Sequence, residues 1–202
     1  MDKTELTPEV AATRQAILDA ATTLLGERDY PATSIRDIAR AVDLLPGRIY
    51  DFIENKEAIL YEIVATGINR FVSIVDTIAD DRQQPDVQLR RAIIDHVKLV
   101  SENPGGVLVV FHQWRYLGTD NRRRVVALRH RYEQFFRDNV EAGIADGVLR
   151  KDLDVRYAVL SILGALNWVP EWLAQNDPQT DYYAENLADV LLSGLAAPTL
   201  AG

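Results

Sequence analysis

The sequence contains no cysteine, so disulfide bonds and zinc sites built on thiolates are excluded. Long apolar runs are also missing, because the longest, residues 158–169, is interrupted by Ser161 and Asn167 and is too short to span a bilayer. The first eight residues are mostly polar and include acids, unlike a signal peptide. We therefore expect a cytoplasmic protein that does not associate with a membrane.

The alternating apolar and polar residues typical of β-strands are absent as well. So are phosphate-binding glycine loops, dinucleotide fingerprints and nucleophile elbows. Apolar residues instead recur at helical spacing, and hydrophobic residues form 48% of the 202 positions, enough for a substantial core. The sequence predicts an all-α protein of about nine helices, which is not an enzyme and uses no cofactor.

Histidine is scarce. The three histidines, His96, His112 and His130, lie on three separate predicted helices. They could converge on a metal ion, but no carboxylate stands at the spacing of a paired ligand. We expect ordinary buried or surface histidines and no metal site.

The stretch after Thr33 has the pattern of a helix-turn-helix. Ser34, followed three residues later by Asp37, is a capping-box signature for a helix of about two turns. Pro46 suits the first turn of a second helix, which would present Arg48 from its N-terminal part. In helix-turn-helix proteins this second helix enters the major groove of DNA. By spacing alone the segment could also be any helical hairpin.

Eighteen residues of this region fit a single sequence pattern with constant spacing. They are Arg14, Ile17, Leu18, Ala20, Ala21, Leu24, Tyr30, Thr33, Ser34, Ile35, Arg36, Ile38, Ala39, Gly47, Tyr50, Lys56, Glu57 and Leu60. Together they resemble the DNA-binding domain of the TetR family of bacterial repressors. The resemblance implies a DNA-binding domain at 11–71 with its helix-turn-helix at 34–53, and an effector-binding and dimerisation domain at 72–202. The implied DNA contacts are Thr33, Ser34, Arg36, Leu45, Pro46, Gly47, Arg48, Tyr50 and Lys56. We expect Arg48 to read a base.

Five positions depart from the family pattern. Asp29 and Asp43 replace two glycines at left-handed positions, which aspartate tolerates better than most residues do. Leu45 replaces the hydroxyl residue that caps the second helix. Phe52 and Ile53 replace a His-Phe pair, so a phosphate donor is missing at position 52.

Charge leaves a second class of function open. The formal net charge is −8, and residues 1–55 hold six basic and ten acidic side chains, which argues against a general binder of polyanions. The alternative is a helical small-molecule carrier or interaction module that has lost DNA binding. A compact basic face around the second short helix would favour the regulator, and an acidic face would favour the carrier.

The last two predicted helices are the most apolar. The first of them, which Asp154 opens, is apolar on nearly every side and therefore needs cover on every side. The second carries a stripe of leucines. We expect the two helices to form a homodimer interface through Leu163, Leu166, Leu187, Leu191 and Leu195.

Three consecutive arginines, Arg122 to Arg124, fall in the first turn of a helix that begins at Thr119 or Asp120. Cations are unfavourable at that end of a helix unless an anion is near. The placement favours an anionic amphipathic effector such as an acyl-coenzyme A. In this arginine-rich region the sequence resembles TetR regulators of fatty-acid and sterol breakdown. The alternative is that these arginines simply pair with surface acids.

The residues expected to line the effector site are Phe111, His112, Trp114, Arg122, Arg124, Leu128, Arg129, Tyr132, Phe135, Asn167 and Trp168. Asn167 could instead pack at a subunit interface. The predicted function is a DNA-binding transcriptional regulator, a repressor that a small-molecule effector releases from double-stranded palindromic operator DNA.

Overall fold

The computed structural model describes residues 8–197, which form eight α-helices and no β-strand. The helices are Pro8–Ala32 (α1), Ile35–Ala41 (α2), Lys56–Asp80 (α3), Pro85–Glu102 (α4), Pro104–His112 (α5), Thr119–Ala145 (α6), Val155–Trp168 (α7) and Thr180–Ser193 (α8). Short 3-10 helices cover Arg48–Asp51, Gln113–Tyr116 and Val169–Glu171. The all-α prediction is confirmed, with eight α-helices in place of about nine.

The second helix of the helix-turn-helix is shorter than expected. The sequence predicted an α-helix beginning near Pro46, but the chain forms only the 3-10 helix Arg48–Asp51, which we call the reading turn. Gly47 precedes it without a side-chain cap. A hydroxyl side chain just before the helix would accept a hydrogen bond from a free backbone N–H and favour a longer helix. Neither Leu45 nor Gly47 has a hydroxyl.

The chain turns with positive φ at both aspartates that replace family glycines. Asp43 has a φ of 54°. Asp29 interrupts α1 with a φ of 64° and a ψ of 161°, a region that glycine occupies readily and other residues do not. Positive φ at these two positions is confirmed. The conformation of Asp29 costs about 1–3 kcal/mol, which its surroundings must offset.

The described residues form two compact units: unit 1 (8–67 and 108–125) and unit 2 (68–107 and 126–197). Three helices, α3, α5 and α6, contribute residues to both. The first boundary, after Gly67, falls close to the expected functional boundary at residue 71. Segment 108–125 folds with the N-terminal unit, although the sequence assigned it to the C-terminal domain.

Unit 1 is built on the inner faces of α1, α2 and the first part of α3. α1 packs against α2, and α2 packs against the reading turn. The fully buried apolar side chains include Ile17, Ala21, Leu25, Ile38, Ala39, Ile49, Ile59, Leu60 and Val64. Each large aliphatic side chain contributes about 1.5–3 kcal/mol on burial, so this core holds the short helices in place.

Unit 2 is organised around α4, which packs along α8 and also contacts α7. Arg90 on α4 forms ion pairs with Glu185 at 2.6 Å and Asp189 at 2.5 Å on α8. The buried apolar side chains include Phe71, Val75, Leu89, Ile93, Val97, Val100, Phe136, Val140, Ile162, Leu166, Ala184 and Ala188. Small Ala184 and Ala188 face the core from α8, which lets α4 and α8 pack closely.

Among the described residues, α3 is the one helix long and apolar enough to cross a membrane by length and composition. Its apolar side chains serve another purpose in this fold. Ile59 and Leu60 are buried in unit 1, and Phe71 and Val75 are buried in unit 2. The hydropathy of α3 is therefore accounted for by the cores to which it contributes.

Candidate nucleic-acid interface and effector site

The predicted capping box holds the start of α2. The Ser34 hydroxyl accepts a hydrogen bond from the backbone N–H of Asp37 at 3.2 Å, and the Asp37 carboxylate accepts one from the backbone N–H of Ser34 at 3.0 Å. Hydrogen bonds from Ser34 hold the pKa of the Asp37 carboxyl below its usual range. Asn55 caps α3 in the same way, accepting from the N–H of Ala58 at 2.8 Å. The capping box at Ser34 was predicted and is confirmed.

Two predicted DNA contacts, Thr33 and Lys56, point into unit 1. Thr33 is buried, and its hydroxyl donates to the backbone carbonyl of Asp29 at 3.0 Å. The Lys56 ammonium donates to the carbonyl of Tyr30 and lies 4.0 Å from the centre of the Tyr30 ring, and partial burial lowers its pKa. Because their polar groups have partners inside the unit, we correct their role from phosphate contacts to supports of the turn at residues 29–33, the Asp29 turn.

Gln113 holds the same turn. It is buried, its amide oxygen accepts a hydrogen bond from the N–H of Tyr30 at 3.0 Å, and its amide nitrogen donates to the Asp29 carboxylate. The Tyr30 ring also stacks on Tyr116, with ring centres 5.6 Å apart. These contacts offset the cost of the positive φ at Asp29. No motif or periodicity marks a lone glutamine, so no sequence signal could have found it.

Most of the predicted DNA contacts are exposed, namely Ser34, Arg36, Leu45, Pro46, Gly47, Arg48 and Tyr50. Buried Ile49 anchors the reading turn to the core, so its neighbours face outward. Leu45 is 75% exposed, an unusual state for a large apolar side chain. Arg48 forms an ion pair with Asp51, whose carboxylate lies 2.9 Å from the arginine Nε.

The surface around the reading turn is mixed in charge. Within residues 34–54, the exposed arginines are Arg36, Arg40 and Arg48, and the exposed acids are Asp43, Asp51 and Glu54. This segment presents neither the compact basic face expected of a regulator nor the acidic face expected of a carrier. Charge alone therefore does not decide between the two functions.

The predicted effector residues in unit 1 are Phe111, His112, Trp114, Arg122 and Arg124. The Arg122 guanidinium lies 5.2 Å from the centre of the Trp114 ring, and the indole N–H donates to the carbonyl of Phe111 at 3.1 Å. Arg124 lies 6.0 Å from the centre of the Tyr61 ring. Two exposed cations thus lie against aromatic faces, where contacts of this kind contribute about 0.5–1 kcal/mol each.

The N-terminal end of α6 already has an anion. The Glu57 carboxylate accepts hydrogen bonds from the backbone N–H of Gly118 at 3.0 Å and from the side-chain amide of Asn121 at 2.9 Å. The expectation that this helix end is short of an anion is therefore wrong, because Glu57 is brought there by the tertiary fold. What still favours an anionic ligand is the placement of Arg122 and Arg124.

In unit 2, Tyr132 lies in an aromatic cluster with Phe71, His96 and Phe136. The Tyr132 hydroxyl donates to Nδ1 of His96 at 2.8 Å, because His96 uses its Nε2–H to donate to the carbonyl of Leu166 at 3.2 Å. Burial lowers the pKa of His96 to about 3 and raises that of Tyr132. His96 is therefore a neutral link between α4, α6 and α7.

The other predicted effector residues of unit 2 are dispersed. Phe135 is buried, Leu128 and Arg129 are half-buried, and burial lowers the pKa of Arg129. Asn167 and Trp168 are exposed on α7. Because α7 turns these two side chains outward, they lie on an outer face of unit 2, and their contact with an effector, or of Asn167 with a second subunit, stays a prediction.

The residues expected at the dimer interface fall into two groups, buried and half-buried. Leu166 and Leu195 are buried in the core of unit 2, so they are corrected from interface to core residues, whereas Leu163, Leu187 and Leu191 are half-buried. The large apolar side chains exposed on α7 and α8 are Tyr157, Leu160, Trp168, Tyr182 and Val190. Helical periodicity could not tell which apolar side of α7 faces the protomer's own core, and the place of α7 and α8 in a dimer stays a prediction.

Three open clefts lie in unit 2, with volumes of about 280, 450 and 730 Å³. Their walls include none of the predicted effector residues. Within residues 8–197 no three histidine, aspartate or glutamate side chains are grouped to hold a metal ion. His112 and His130 are exposed, and His96 is buried with both ring nitrogens engaged.

Comparisons with known proteins agree with this architecture. Residues 17–63 match the family model of bacterial regulatory proteins of the tetR family, and residues 82–195 match the tetracyclin repressor-like C-terminal domain. The HTH-type transcriptional repressor KstR2 of Rhodococcus jostii is 28% identical over 192 residues, which cover 92% of each chain.

Solved structures agree as well. The TetR family regulator PfmR of Thermus thermophilus is 30% identical, with a TM-score of 0.79 over 88% of this chain and 97% of its own. AibR, whose structure contains isovaleryl coenzyme A and operator DNA, is 26% identical, with a TM-score of 0.79 over 93% of this chain and 100% of its own.

The C-terminal family model alone spans more than half of the chain, and the N-terminal model covers the helix-turn-helix. These matches decide between regulator and carrier where surface charge did not. The family consists of transcription factors rather than enzymes. The chain belongs to the TetR family of DNA-binding transcriptional regulators.

Proposed function

We propose that this DNA-binding repressor acts in the cytoplasm, binds a palindromic operator as a homodimer, and is released from it by an acyl-coenzyme A. The observation that carries the effector class is the placement of Arg122 and Arg124 against the aromatic rings of Trp114 and Tyr61. The complex of AibR with isovaleryl coenzyme A supports the same effector class by similarity, and the relative KstR2 supports the role of repressor.

In this proposal the reading turn carries sequence recognition. Arg48 is its first residue and is exposed. A guanidinium can bind O6 and N7 of guanine together, a contact that discriminates by about 1–3 kcal/mol. Ser34, Arg36 and Tyr50 contact phosphates, which position the protein without reading sequence.

The salt dependence of operator binding tests this set of contacts. Lys56 is engaged inside unit 1 and Arg48 is assigned to a base, so the exposed cations of residues 34–54 that remain for phosphates are Arg36 and Arg40, about four per dimer. Each neutralised phosphate lowers the slope of log affinity against log salt by about 0.9, so we expect a slope of roughly −3 to −4. Fluorescence anisotropy of labelled operator at several salt concentrations measures it, and a slope near −6 would mean that Lys56 turns outward onto DNA.

The exposed face of α7 supports the homodimer. Tyr157, Leu160 and Trp168 are each more than half exposed, and their spacing places them on one side of the helix. Gly164, on the same side, has open space where a side chain would stand, which allows a partner helix to approach closely. Contiguous exposed apolar surface of this kind marks a protein interface. A second copy would then supply the outer cover that the all-round apolar helix needs.

Charge substitutions on this face test the dimer. Leu160→Glu and Trp168→Glu should each yield a monomer in sedimentation velocity, because a buried unpaired charge opposes association. Operator affinity should fall at least 100-fold with the loss of simultaneous binding to two half-sites. Val126→Glu, an exposed apolar position on α6, is the matched control and should remain dimeric. A dimer that survives both α7 substitutions would place the interface elsewhere.

The arginines of α6 supply the effector contacts. Phosphate groups of coenzyme A would pair with the guanidinium groups of Arg122 and Arg124 through charge-assisted hydrogen bonds. Trp114 offers aromatic surface beside Arg122 for the less polar part of the ligand, and the participation of Phe111 stays a prediction. The participation of Leu128, Arg129, Tyr132 and Phe135 stays a prediction.

Calorimetric titration with a panel of acyl-coenzyme A thioesters tests the effector. We expect the Arg122→Glu, Arg124→Glu double variant to bind at least 10-fold more weakly than the native protein. Arg123→Glu is the matched control, because Arg123 lies between them but pairs with Asp120 at 2.8 Å. Failure of every thioester to bind the native protein, or equal binding by the double variant, would exclude this site.

Release from DNA requires reciprocal coupling. An effector that weakens operator binding 100-fold must itself bind 100-fold more weakly to the DNA-bound protein, a coupling of about 2.7 kcal/mol. Operator affinity measured with effector, and effector affinity measured with operator, should therefore change by the same factor. Independent affinities would show that the ligand is not the inducer.

A further inference from the structure

The ion pair between Arg48 and Asp51 lies on the reading turn itself. Nε of Arg48 and Oδ2 of Asp51 are 2.9 Å apart, and the two residues are three positions apart in the chain. Their side chains are 66% and 54% exposed. Pairs this exposed contribute little to folding stability because water screens them. Folding stability therefore depends little on this contact.

Asp51 contacts one side of the Arg48 guanidinium and leaves another edge free. A guanidinium carries one N–H on Nε and two on each terminal nitrogen, in a rigid plane. Asp51 contacts the Nε side, and the edge formed by the two terminal nitrogens is the edge that can bind O6 and N7 of a guanine. Charge attraction between the carboxylate and Nε disfavours rotamers that carry the guanidinium away from Asp51, and it leaves that edge to a base.

We propose that Asp51 is a positioning residue that orients Arg48 toward a guanine and so determines sequence specificity. This rests on the proposed base-reading role of Arg48 and deepens it. The carboxylate has a second effect, since it repels the phosphates of any duplex and weakens binding to all sequences alike. Asp51 therefore lowers general affinity and raises discrimination. The proposal explains why an acid stands on an element that faces a polyanion.

The two opposite effects provide the test. Duplexes are selected from a randomised library by the native protein and by the Arg48→Ala, Asp51→Ala and Glu54→Ala variants. Glu54 is an exposed acid three residues beyond Asp51 and is the matched control for the loss of one negative charge. The readouts are the preference for guanine at each half-site position and the affinity for random duplex.

We expect one guanine per half-site that the native protein prefers and Arg48→Ala does not. Asp51→Ala should lower that preference about 3- to 10-fold and raise the affinity for random duplex about 2-fold. Glu54→Ala should raise the affinity for random duplex and leave the guanine preference unchanged. Asp51→Asn, which keeps the side-chain shape and removes its charge, should shift both readouts in the same directions as Asp51→Ala.

Each other result overturns the role of Asp51. If Arg48→Ala loses the preference for guanine and Asp51→Ala retains it, the positioning role of Asp51 is wrong and the proposed function stands. If Glu54→Ala loses the preference as fully as Asp51→Ala, the effect is one of general charge. If Arg48→Ala keeps the preference, Arg48 does not read the base, and the role of Asp51 fails with it.

Discussion

In unit 1 the buried polar residues Thr33 and Gln113 bond to one backbone turn, whereas in unit 2 the buried His96 joins three helices. The groups in unit 1 are neutral at every ordinary pH, and they hold a backbone conformation that is costly by itself. His96 is ionisable and must stay uncharged in an apolar core. The two units should therefore be destabilised by different events. The turn of unit 1 is destabilised when its hydrogen bonds are lost, and the helix packing of unit 2 is destabilised when His96 is protonated.

The largest expected effect is acid destabilisation through His96. Its pKa is about 3 in the folded protein, against 6.5 for an ordinary histidine. Below pH 6.5 the unfolded chain takes up a proton that the folded chain excludes, so this contribution is complete above pH 6.5 and is lost as pH falls toward 3. Between pH 6.5 and about 4.5, the native protein should lose about 2–3 kcal/mol more unfolding free energy than His96→Gln does.

Urea denaturation of both proteins at a series of pH values measures this difference. Titrating carboxylates contribute equally to the two proteins, so their effect cancels. His130→Gln removes an exposed histidine and should follow the native curve. Parallel curves for native protein and His96→Gln would contradict the contrast between the units, because the acid sensitivity would then lie elsewhere.

The second effect concerns the Asp29 turn. Gln113→Ala leaves the Tyr30 N–H and the Asp29 carboxylate without this partner, and we expect a loss of about 1–3 kcal/mol in unfolding free energy. Unlike the His96 effect, the loss should be the same at pH 7 and pH 5. Adding Asp29→Gly should recover about 1 kcal/mol, because glycine adopts the positive φ without strain.

Gln15→Ala is the control for the loss of a glutamine, since Gln15 is exposed on α1 and bonds only across one helical turn to Asp19. It should change the unfolding free energy by less than about 0.5 kcal/mol. If the loss of unfolding free energy caused by Gln113→Ala grew as pH falls, the stability of unit 1 would also depend on a titrating group. The two units would then not differ in this respect.

The smallest effect is at the exposed cap of α2. Ser34→Ala removes one side of the capping box and should cost about 1 kcal/mol, less than the Gln113 change because water can replace the lost hydroxyl. The pKa of Asp37 should rise toward its ordinary value, since the hydrogen bond from the Ser34 side chain is the largest cause of its lowering. An NMR titration of the Asp37 carboxyl reports this directly, and an unchanged pKa would mean that the hydroxyl bond contributes nothing in solution.

Local features were predictable because their causes lie within a few residues. The capping box at Ser34, the Asn55 cap and the positive φ at Asp43 each depend on neighbours within one turn of chain. The sequence predicted a longer helix than the reading turn, although Leu45 lacks the hydroxyl that would cap it. Whether a polar side chain faces DNA or the interior was also beyond local reasoning, as Thr33 shows.

The all-helical fold, the family and the helix-turn-helix follow from the amino-acid sequence alone, because helical periodicity, caps and spacing depend on residues close together in the chain. The tertiary structure alone decided that Lys56 turns inward, that Glu57 occupies the start of α6, and that Gln113 supports the Asp29 turn. Gln113 stands 83 residues from Tyr30, whose backbone N–H it accepts from. A contact across that separation depends on how whole helices pack, and no local pattern encodes it.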